Sequence, residues 1–214
     1  MRDSKNRKNQ KENEEISIKA ILLGESGVGK TSLIKVITGH QFSHSYEPTL
    51  TNYYVEKNFS INDKIYKIKI WDTIGQEKFR TLTKLFYKDS RIVIFVYDKS
   101  SKNTFTELIK YWINEVRETL DNNKYVIGIV GNKDDLEDKE DDVDEEEARL
   151  FANNMNAKFK MVSAKNDGNG FEKLLKELLI DFIKKCKGKI EKDTTSVVLN
   201  KKNHKKIKKK TCCK

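Results

Sequence analysis

The chain has 214 residues, enough for one folded domain with short extensions, and its formal net charge is +10. Nearly all of that charge lies in residues 187–214, which hold 11 lysines against two acidic residues, so residues 16–186 are close to neutral. This distribution argues against a nucleic-acid-binding face on the folded body, and the longest apolar run (residues 92–97) is far shorter than the roughly 20 residues of a membrane span.

Predicted strands and helices alternate after residues 1–15, which show no hydrophobic periodicity and are expected to be disordered. Apolar or alternating runs typical of strands occupy residues 16–23, 53–61, 64–71, 91–97, 125–130 and 158–162. Helical spacing of apolar residues follows the glycine-rich loop after the first strand and recurs over residues 104–120, 144–155 and 170–186. This alternation predicts βαβ units, and hence an α/β fold with a mostly parallel six-stranded sheet flanked by helices. We expect one domain over residues 16–186 and a flexible polybasic tail over residues 187–214.

A glycine-rich segment follows the first predicted strand. Residues 24–31 read GESGVGKT and satisfy the phosphate-loop pattern G-x-x-x-x-G-K-[ST]. The glycines let backbone N–H groups surround a phosphate chain, Lys30 is placed to reach the β- and γ-phosphates, and the Thr31 hydroxyl is placed to ligate Mg²⁺. A strand–helix turn without a ligand is the alternative, which the flanking strand and helix disfavour. The candidate phosphate-binding residues are Ser26, Gly27, Val28, Gly29, Lys30, Thr31 and Ser32.

Two further motifs predict the base. Residues 132–135 (NKDD) follow a buried strand and match N-K-x-D, and residues 163–165 (SAK) follow the next strand. The Asp135 carboxylate is suited to accept from both N1–H and the N2 amine of guanine, whereas adenine leaves it unpaired in a dry pocket. The backbone N–H of Ala164 is expected to donate to guanine O6. The candidate base-binding residues are Asn132, which ties the loops together, Lys133, which lies along the ring, Asp135, Ser163, Ala164 and Lys165.

There are two alternatives to guanine binding at these motifs. A chance match in an acidic stretch is an alternative for NKDD alone, and the SAK motif opposes it. An ATP-using phosphate-loop enzyme is the second rival, which both motifs oppose.

Taken in order, GESGVGKT, WDTIGQEKFRTLT, GNKDD and SAK resemble the motifs of the Ras superfamily of small GTPases over residues 16–186. The run WDTxGQExFRTxT and the cysteine pair near the C-terminus resemble the Rab family in particular. The resemblance implies a P-loop NTPase small G domain that binds GTP and GDP with Mg²⁺, hydrolyses GTP slowly and acts as a switch in vesicle trafficking. It also implies an exchange factor, a GTPase-activating protein, a GDP-dissociation inhibitor and effectors as partners of a monomer.

The resemblance assigns roles to matching positions. Asp72 is similar to the acid that holds Mg²⁺ through a water, and Thr49 to the threonine that joins the same Mg²⁺ shell and senses the γ-phosphate. Gly75 matches the glycine whose N–H faces the γ-phosphate. Gln76 matches the catalytic glutamine that orients the attacking water, with Lys30 as the second catalytic residue.

Aromatic residues also match the family. Phe42 resembles the aromatic residue packed against guanine, with an ordinary core position as the alternative. Tyr54, Trp71 and Tyr87 resemble the triad that links the two switch segments, and core packing explains them equally well.

One departure concerns the residue before Gly75, where the family usually has alanine and this chain has Ile74. A branched side chain close to the γ-phosphate and the metal is expected to crowd the GTP-bound arrangement. A nucleotide-locked, hydrolysis-impaired G-domain scaffold, which is a binding protein and not an enzyme, is therefore the alternative function.

The tail combines seven lysines in residues 201–210 with Cys212 and Cys213. A solvated lysine run is one alternative, and a nucleic-acid patch is another that the lack of interleaved aromatic residues disfavours. Thr211 replaces the cysteine of a C-a-a-X signal, and the cysteine pair instead resembles Rab tails that receive two geranylgeranyl groups. We therefore expect prenylation at both cysteines.

The expected location follows from that lipid anchor. With no secretory signal, the expected location is the cytosol and the cytoplasmic face of an internal membrane. The ESGVGK run and residues 112–115 resemble the subfamily of the endoplasmic reticulum and lipid droplets, with the Golgi as a further candidate.

Overall fold

The computed structural model describes residues 16–43, 53–73, 86–121, 124–137, 139–140, 142–166 and 168–201, with the backbone alone beyond residue 186. Its six-stranded sheet has the order β2-β3-β1-β4-β5-β6. The strands are β1 (Ile16–Leu23), β2 (Tyr53–Ile61), β3 (Lys64–Asp72), β4 (Ile92–Asp98), β5 (Val126–Asn132) and β6 (Lys158–Met161). Every neighbouring pair is parallel except β2 and β3, which confirms the predicted α/β fold.

The helices of the described residues are α1 (Lys30–Ile37), α2 (Lys102–Glu107), α3 (Ile113–Thr119), α4 (Glu145–Asn154) and α5 (Gly168–Lys201). A π-helical turn, Leu108–Trp112, joins α2 to α3 where the sequence predicts one regular helix. The last helix also differs from its prediction, because it continues past residue 186 to Lys201. Residues 187–201 contain no proline, the strongest helix breaker, and their one glycine, Gly188, costs a helix only about 1 kcal/mol. The domain boundary at residue 186 stays a prediction.

The β2–β3 hairpin turns where the sequence predicts it. Asn62 and Asp63 have φ angles of 49° and 59°, the left-handed values that a two-residue turn of type I′ requires. The turn brings Ile61 opposite Lys64 and puts β2 at the edge of the sheet.

Both faces of the sheet carry a buried apolar cluster. The first core lies under α1 and α5 and includes Leu33 and Leu174, and the second core lies under α2, α3 and α4 and includes Trp112 and Ala148. All seven residues of β4 are buried because the strand serves both cores. In the described part of the chain, we find no helix with the length and apolar character needed to cross a membrane.

Candidate functional site

The loops that the motifs occupy meet at one edge of the sheet. Residues 24–31 follow β1, residues 133–135 follow β5, and residues 163–165 come shortly after β6. These strands run parallel to one another, so their carboxyl ends share an edge, which is where open α/β sheets bind ligands.

The backbone of residues 24–31 leaves no room for a side chain at two of its three glycines. Gly24 and Gly29 have φ angles of 149° and 95°, which side chains rarely tolerate. A Cβ at Gly24 would lie 2.1 Å from the Val96 carbonyl oxygen, and a Cβ at Gly29 would lie 2.2 Å from Asn132 Nδ2. The loop therefore packs closely against the carboxyl ends of β4 and β5, while Ser26 and Gly27 at its tip are exposed.

Lys30 begins α1 and is buried beneath the loop. Its Nζ donates to the carbonyl oxygens of Gly24 and Glu25, both at 2.8 Å. Burial lowers the pKa of Lys30 to about 8, and the nearby carboxylates of Asp72 and Glu25 oppose that shift. A phosphate beside this ammonium group supplies further negative charge and stabilises its protonated form.

A hydroxyl and a carboxylate lie side by side at the start of α1. The Thr31 hydroxyl donates to Asp72 Oδ2 at 2.7 Å, and the Thr73 hydroxyl anchors the segment to the Leu22 carbonyl oxygen at 2.5 Å. Oxygen ligands of this kind fit Mg²⁺, which completes its shell with waters and substrate phosphates. The structure thus brings together two of the three predicted metal ligands.

Asn132 connects two of the loops. Its Nδ2 donates to the Val28 carbonyl oxygen at 2.8 Å, and its Oδ1 accepts from the Ala164 N–H at 3.1 Å. These contacts join the phosphate loop to residues 163–165, as the sequence analysis predicts for Asn132. The asparagine is fully buried, so both contacts are shielded from water.

Asp135 is held in place by two neighbours. The Ser163 hydroxyl donates to Asp135 Oδ1 at 2.5 Å, and Lys165 Nζ lies 3.8 Å from Oδ2. Ser163 Oγ in turn accepts from the backbone N–H groups of Lys165 and Asn166, which directs its proton to the carboxylate. The Asp135 side chain is only 9% exposed. A fixed and largely dry carboxylate is an acceptor for a base edge that carries two donors.

Comparison with known proteins agrees with this geometry. The Ras family pattern matches residues 19–184. Ras-related protein Rab-21 of Mus musculus is 39% identical over 175 residues, which cover 82% of this chain and 74% of that protein. Ras-related protein Rab-21 of Geodia cydonium is 37% identical over 170 residues (79% and 71%), and Ras-related protein Rab-18-B of Danio rerio is 39% identical over 166 residues (76% and 80%). The chain belongs to the Rab family of Ras-type small GTPases. It is therefore a GTPase with a Ras-type G domain.

Two contacts in this Rab-family chain differ from the simplest expectation. The Ala164 N–H, which is expected to donate to guanine O6, donates to Asn132 Oδ1 instead. A contact with the base therefore requires this N–H to be shared between Asn132 Oδ1 and guanine O6. Lys133, expected along the ring, places its Nζ 2.6 Å from Asp98 Oδ2 at the end of β4.

Several predicted positions of the Rab-family site lie outside the described residues. They are Thr49, Ile74, Gly75, Gln76, Cys212 and Cys213. Phe42 is described; it is partly buried and packs against the first core. Its contact with guanine stays a prediction.

In this Rab-family chain, the rings of Tyr54, Trp71 and Phe86 form a row, and its third ring differs from the one predicted. Tyr54 lies 5.0 Å from Trp71 between ring centroids, and Trp71 lies 5.8 Å from Phe86. The predicted third ring, Tyr87, is fully buried in the second core. Successive residues point in different directions here, so Phe86 takes the place beside Trp71, and Tyr54 is 44% exposed at the other end of the row.

Two residues beside the loops were not predicted from the sequence. Asp98 is the last residue of β4 and holds Lys133, and its signal was an acidic residue directly after the buried run at 91–97. Trp112 reaches Glu25 of the phosphate loop from the π-helical turn, over a separation of 87 residues. Its apolar spacing indicated a core residue, which it also is.

Proposed function

We propose that this Rab-family GTPase binds GDP and GTP at the edge of the sheet, hydrolyses GTP slowly and acts as a membrane-anchored switch in vesicle trafficking. One observation carries the proposal. Asp135 is largely buried and accepts a hydrogen bond from Ser163, and it lies three residues after Asn132, which donates a hydrogen bond to the phosphate loop. This arrangement supports the proposal because it holds the phosphate loop and a carboxylate suited to guanine in a fixed relation to each other.

The roles of the phosphate-side residues follow from their chemistry. The backbone N–H groups of the loop, the N-terminus of α1 and the Lys30 ammonium group bind the phosphates. Thr31, Thr49 and Asp72 would hold Mg²⁺, which would supply positive charge to offset that of the nucleotide phosphates. Gln76 orients the attacking water.

Turnover and partners are proposed from the family. Intrinsic hydrolysis in GTPases of this type is on the order of 10⁻⁴ s⁻¹, so the protein depends on a GTPase-activating protein and an exchange factor for its timing. Effectors read the two nucleotide states, and a GDP-dissociation inhibitor solubilises the lipidated form. The chain acts as a monomer.

Membrane attachment is proposed to use the C-terminus. Cys212 and Cys213 carry two prenyl groups, and the lysines of residues 201–210 add electrostatic attraction to an anionic surface. The protein then divides between the cytosol and the cytoplasmic face of an internal membrane, with the endoplasmic reticulum, Golgi and lipid droplets as the candidate organelles.

A nucleotide titration tests the central proposal. Nucleotide-depleted protein is titrated with fluorescent GDP, GTP and ATP, with Mg²⁺ and with EDTA. We expect guanine nucleotides to bind at least about 100-fold more tightly than ATP, because adenine places an acceptor nitrogen, and no N–H donor, against the Asp135 carboxylate. Lys30→Ala is expected to weaken GDP binding strongly, and Lys176→Ala, at an exposed position of α5, serves as the matched control. Equal affinity for ATP and GDP would overturn the proposal.

A second candidate function is a nucleotide-locked scaffold that binds GTP without hydrolysing it. Ile74 favours it, because a branched residue replaces the family's usual alanine beside Gly75. Single-turnover hydrolysis of bound GTP distinguishes the two candidates: no hydrolysis with full GTP affinity supports the scaffold.

A further inference from the structure

Between α2 and α3 the chain makes the π-helical turn Leu108–Trp112. A π turn is wider than an α turn, and such turns occur frequently at functional sites. This one ends at Trp112, whose side chain is fully buried in the second core. The indole N–H, which can only donate, forms a hydrogen bond of 2.8 Å to Glu25 Oε1.

Glu25 places a carboxylate within the phosphate loop. It is the second residue of the phosphate loop and the only acidic one in residues 24–31. Its backbone carbonyl accepts from Lys30 Nζ at 2.8 Å, and its carboxylate is near enough to Lys30 to influence that residue's pKa. A carboxylate in a loop that binds a polyanion repels the ligand, so the direction of this side chain affects phosphate affinity.

We propose that Trp112 is a positioning residue for the phosphate loop, whose indole N–H holds the Glu25 carboxylate against the second core and away from the nucleotide phosphates. The inference rests on the proposed binding of GDP at this loop.

The two sides of the loop are fixed by different cores. Val28 packs into the first core, and its carbonyl accepts from Asn132. Glu25, on the other side, is fixed by Trp112 of the second core. Loss of the indole N–H therefore allows the Glu25 carboxylate to turn toward the phosphates.

A double-mutant cycle separates this role from core packing. The dissociation rate of fluorescent GDP is measured for the wild type, Trp112→Phe, Glu25→Gln and the double variant. Loss of a hydrogen bond to a charged group predicts about tenfold faster release for Trp112→Phe. Glu25→Gln keeps an oxygen for the indole and is neutral, so its rate is expected to stay within about twofold of the wild type. The double variant is expected to release GDP nearly as slowly as Glu25→Gln, because a neutral amide does not repel phosphate.

The matched control is Ile113→Ala, which removes buried volume from the same core next to Trp112, at a side chain that has no polar atom to offer Glu25. A tenfold faster release in Ile113→Ala, or additive effects of Trp112→Phe and Glu25→Gln, would show that Trp112 acts through packing alone and would overturn the proposal. An unchanged rate in Trp112→Phe would overturn it as well. The wild-type affinity for GDP is measured first, so that a failure of the proposed nucleotide site is seen separately.

A spectroscopic measurement keeps the test decisive even where Trp112→Phe does not fold. The chain has two tryptophans, so Trp71→Phe leaves Trp112 as the sole indole. A hydrogen bond to a carboxylate moves indole emission to longer wavelength. In GDP-bound Trp71→Phe protein, adding Glu25→Ala is therefore expected to shift the emission to shorter wavelength, and an unchanged spectrum would contradict the proposed contact.

Discussion

Lys133 Nζ lies 2.6 Å from Asp98 Oδ2, and this ion pair joins the end of β4 to the loop that follows β5. Asp98 is nearly buried, with a side chain only 11% exposed, and its other oxygen accepts from the N–H and hydroxyl of Ser100. Lys133 itself has a φ of 68°, an uncommon backbone conformation for a lysine. The pair thus fixes the Lys133 side chain, two residues before Asp135 in the base-binding loop.

Asp98→Asn is expected to release fluorescent GDP about tenfold faster, because an ion pair that is partly shielded from water becomes a weaker hydrogen bond from the lysine to a neutral amide. The dissociation rate measured over a range of salt concentrations checks this. Ser100→Ala is the matched control, since it changes the other oxygen's partner and leaves Lys133 in place. An Asp98→Asn rate equal to that of the wild type would show that Lys133 needs no such support.

Asp135→Asn is expected to shift the preference of the site from guanine toward xanthine. An amide presents a donor where guanine also has donors, so the mismatch costs about 1–3 kcal/mol, or roughly tenfold to a hundredfold in GDP affinity. Competition between GDP and XDP measures the shift. Ser163→Ala, which removes the hydroxyl donor to Oδ1, is expected to weaken GDP binding without favouring XDP. Full GDP affinity in Asp135→Asn would refute the assignment of Asp135 to base recognition.

The strands and loops of this site were predictable because their signals are local. Buried runs fix β4 and β5, and the polar residues directly after them, such as Asn132, must then lie at the carboxyl edge of a parallel sheet. The turn at Asn62 and Asp63 is likewise specified by two adjacent residues that tolerate positive φ.

The parts that were missed depend on contacts between distant segments. Apolar spacing over residues 104–120 suits a regular helix, so the π turn at Leu108–Trp112 left no mark in the sequence. The partner of Trp112 is 87 residues away, and nothing in the helical pattern points to Glu25. Phe86 and Tyr87 are adjacent aromatic residues with rings of similar size. Only the packed structure shows which of the two faces Trp71.

Replacing both Cys212 and Cys213 by Ser is expected to move the protein from membranes to the cytosol, although all seven lysines of residues 201–210 remain. Electrostatic attraction alone is reversible and screened, because the Debye length is about 8 Å at physiological ionic strength. Fractionation of cells that express the double variant checks this, with a Thr211→Ala variant as the matched control. A double variant that still sediments with membranes would rule out lipid anchoring as the main attachment.

Ile74, which lies outside the described residues, is expected to strain the GTP-bound arrangement. Isoleucine adds three carbons and a stiff χ1 to the position where the family usually has alanine, and overpacking typically costs about 1–3 kcal/mol. A strain of about 1.4 kcal/mol changes the ratio of active to inactive conformations tenfold and also displaces Gln76 from its water.

Ile74→Ala is therefore expected to hydrolyse GTP faster in a single-turnover assay and to bind a GTP analogue more tightly relative to GDP. Ile74→Val, which keeps the branched Cβ and loses one carbon, is the matched control and should fall between the two proteins. The competing arrangement has Ile74 directed into a pocket formed with Leu50, where the additional carbons cause no strain. Equal rates and equal affinity ratios for the wild type and Ile74→Ala would support that arrangement and leave a GTPase of ordinary turnover.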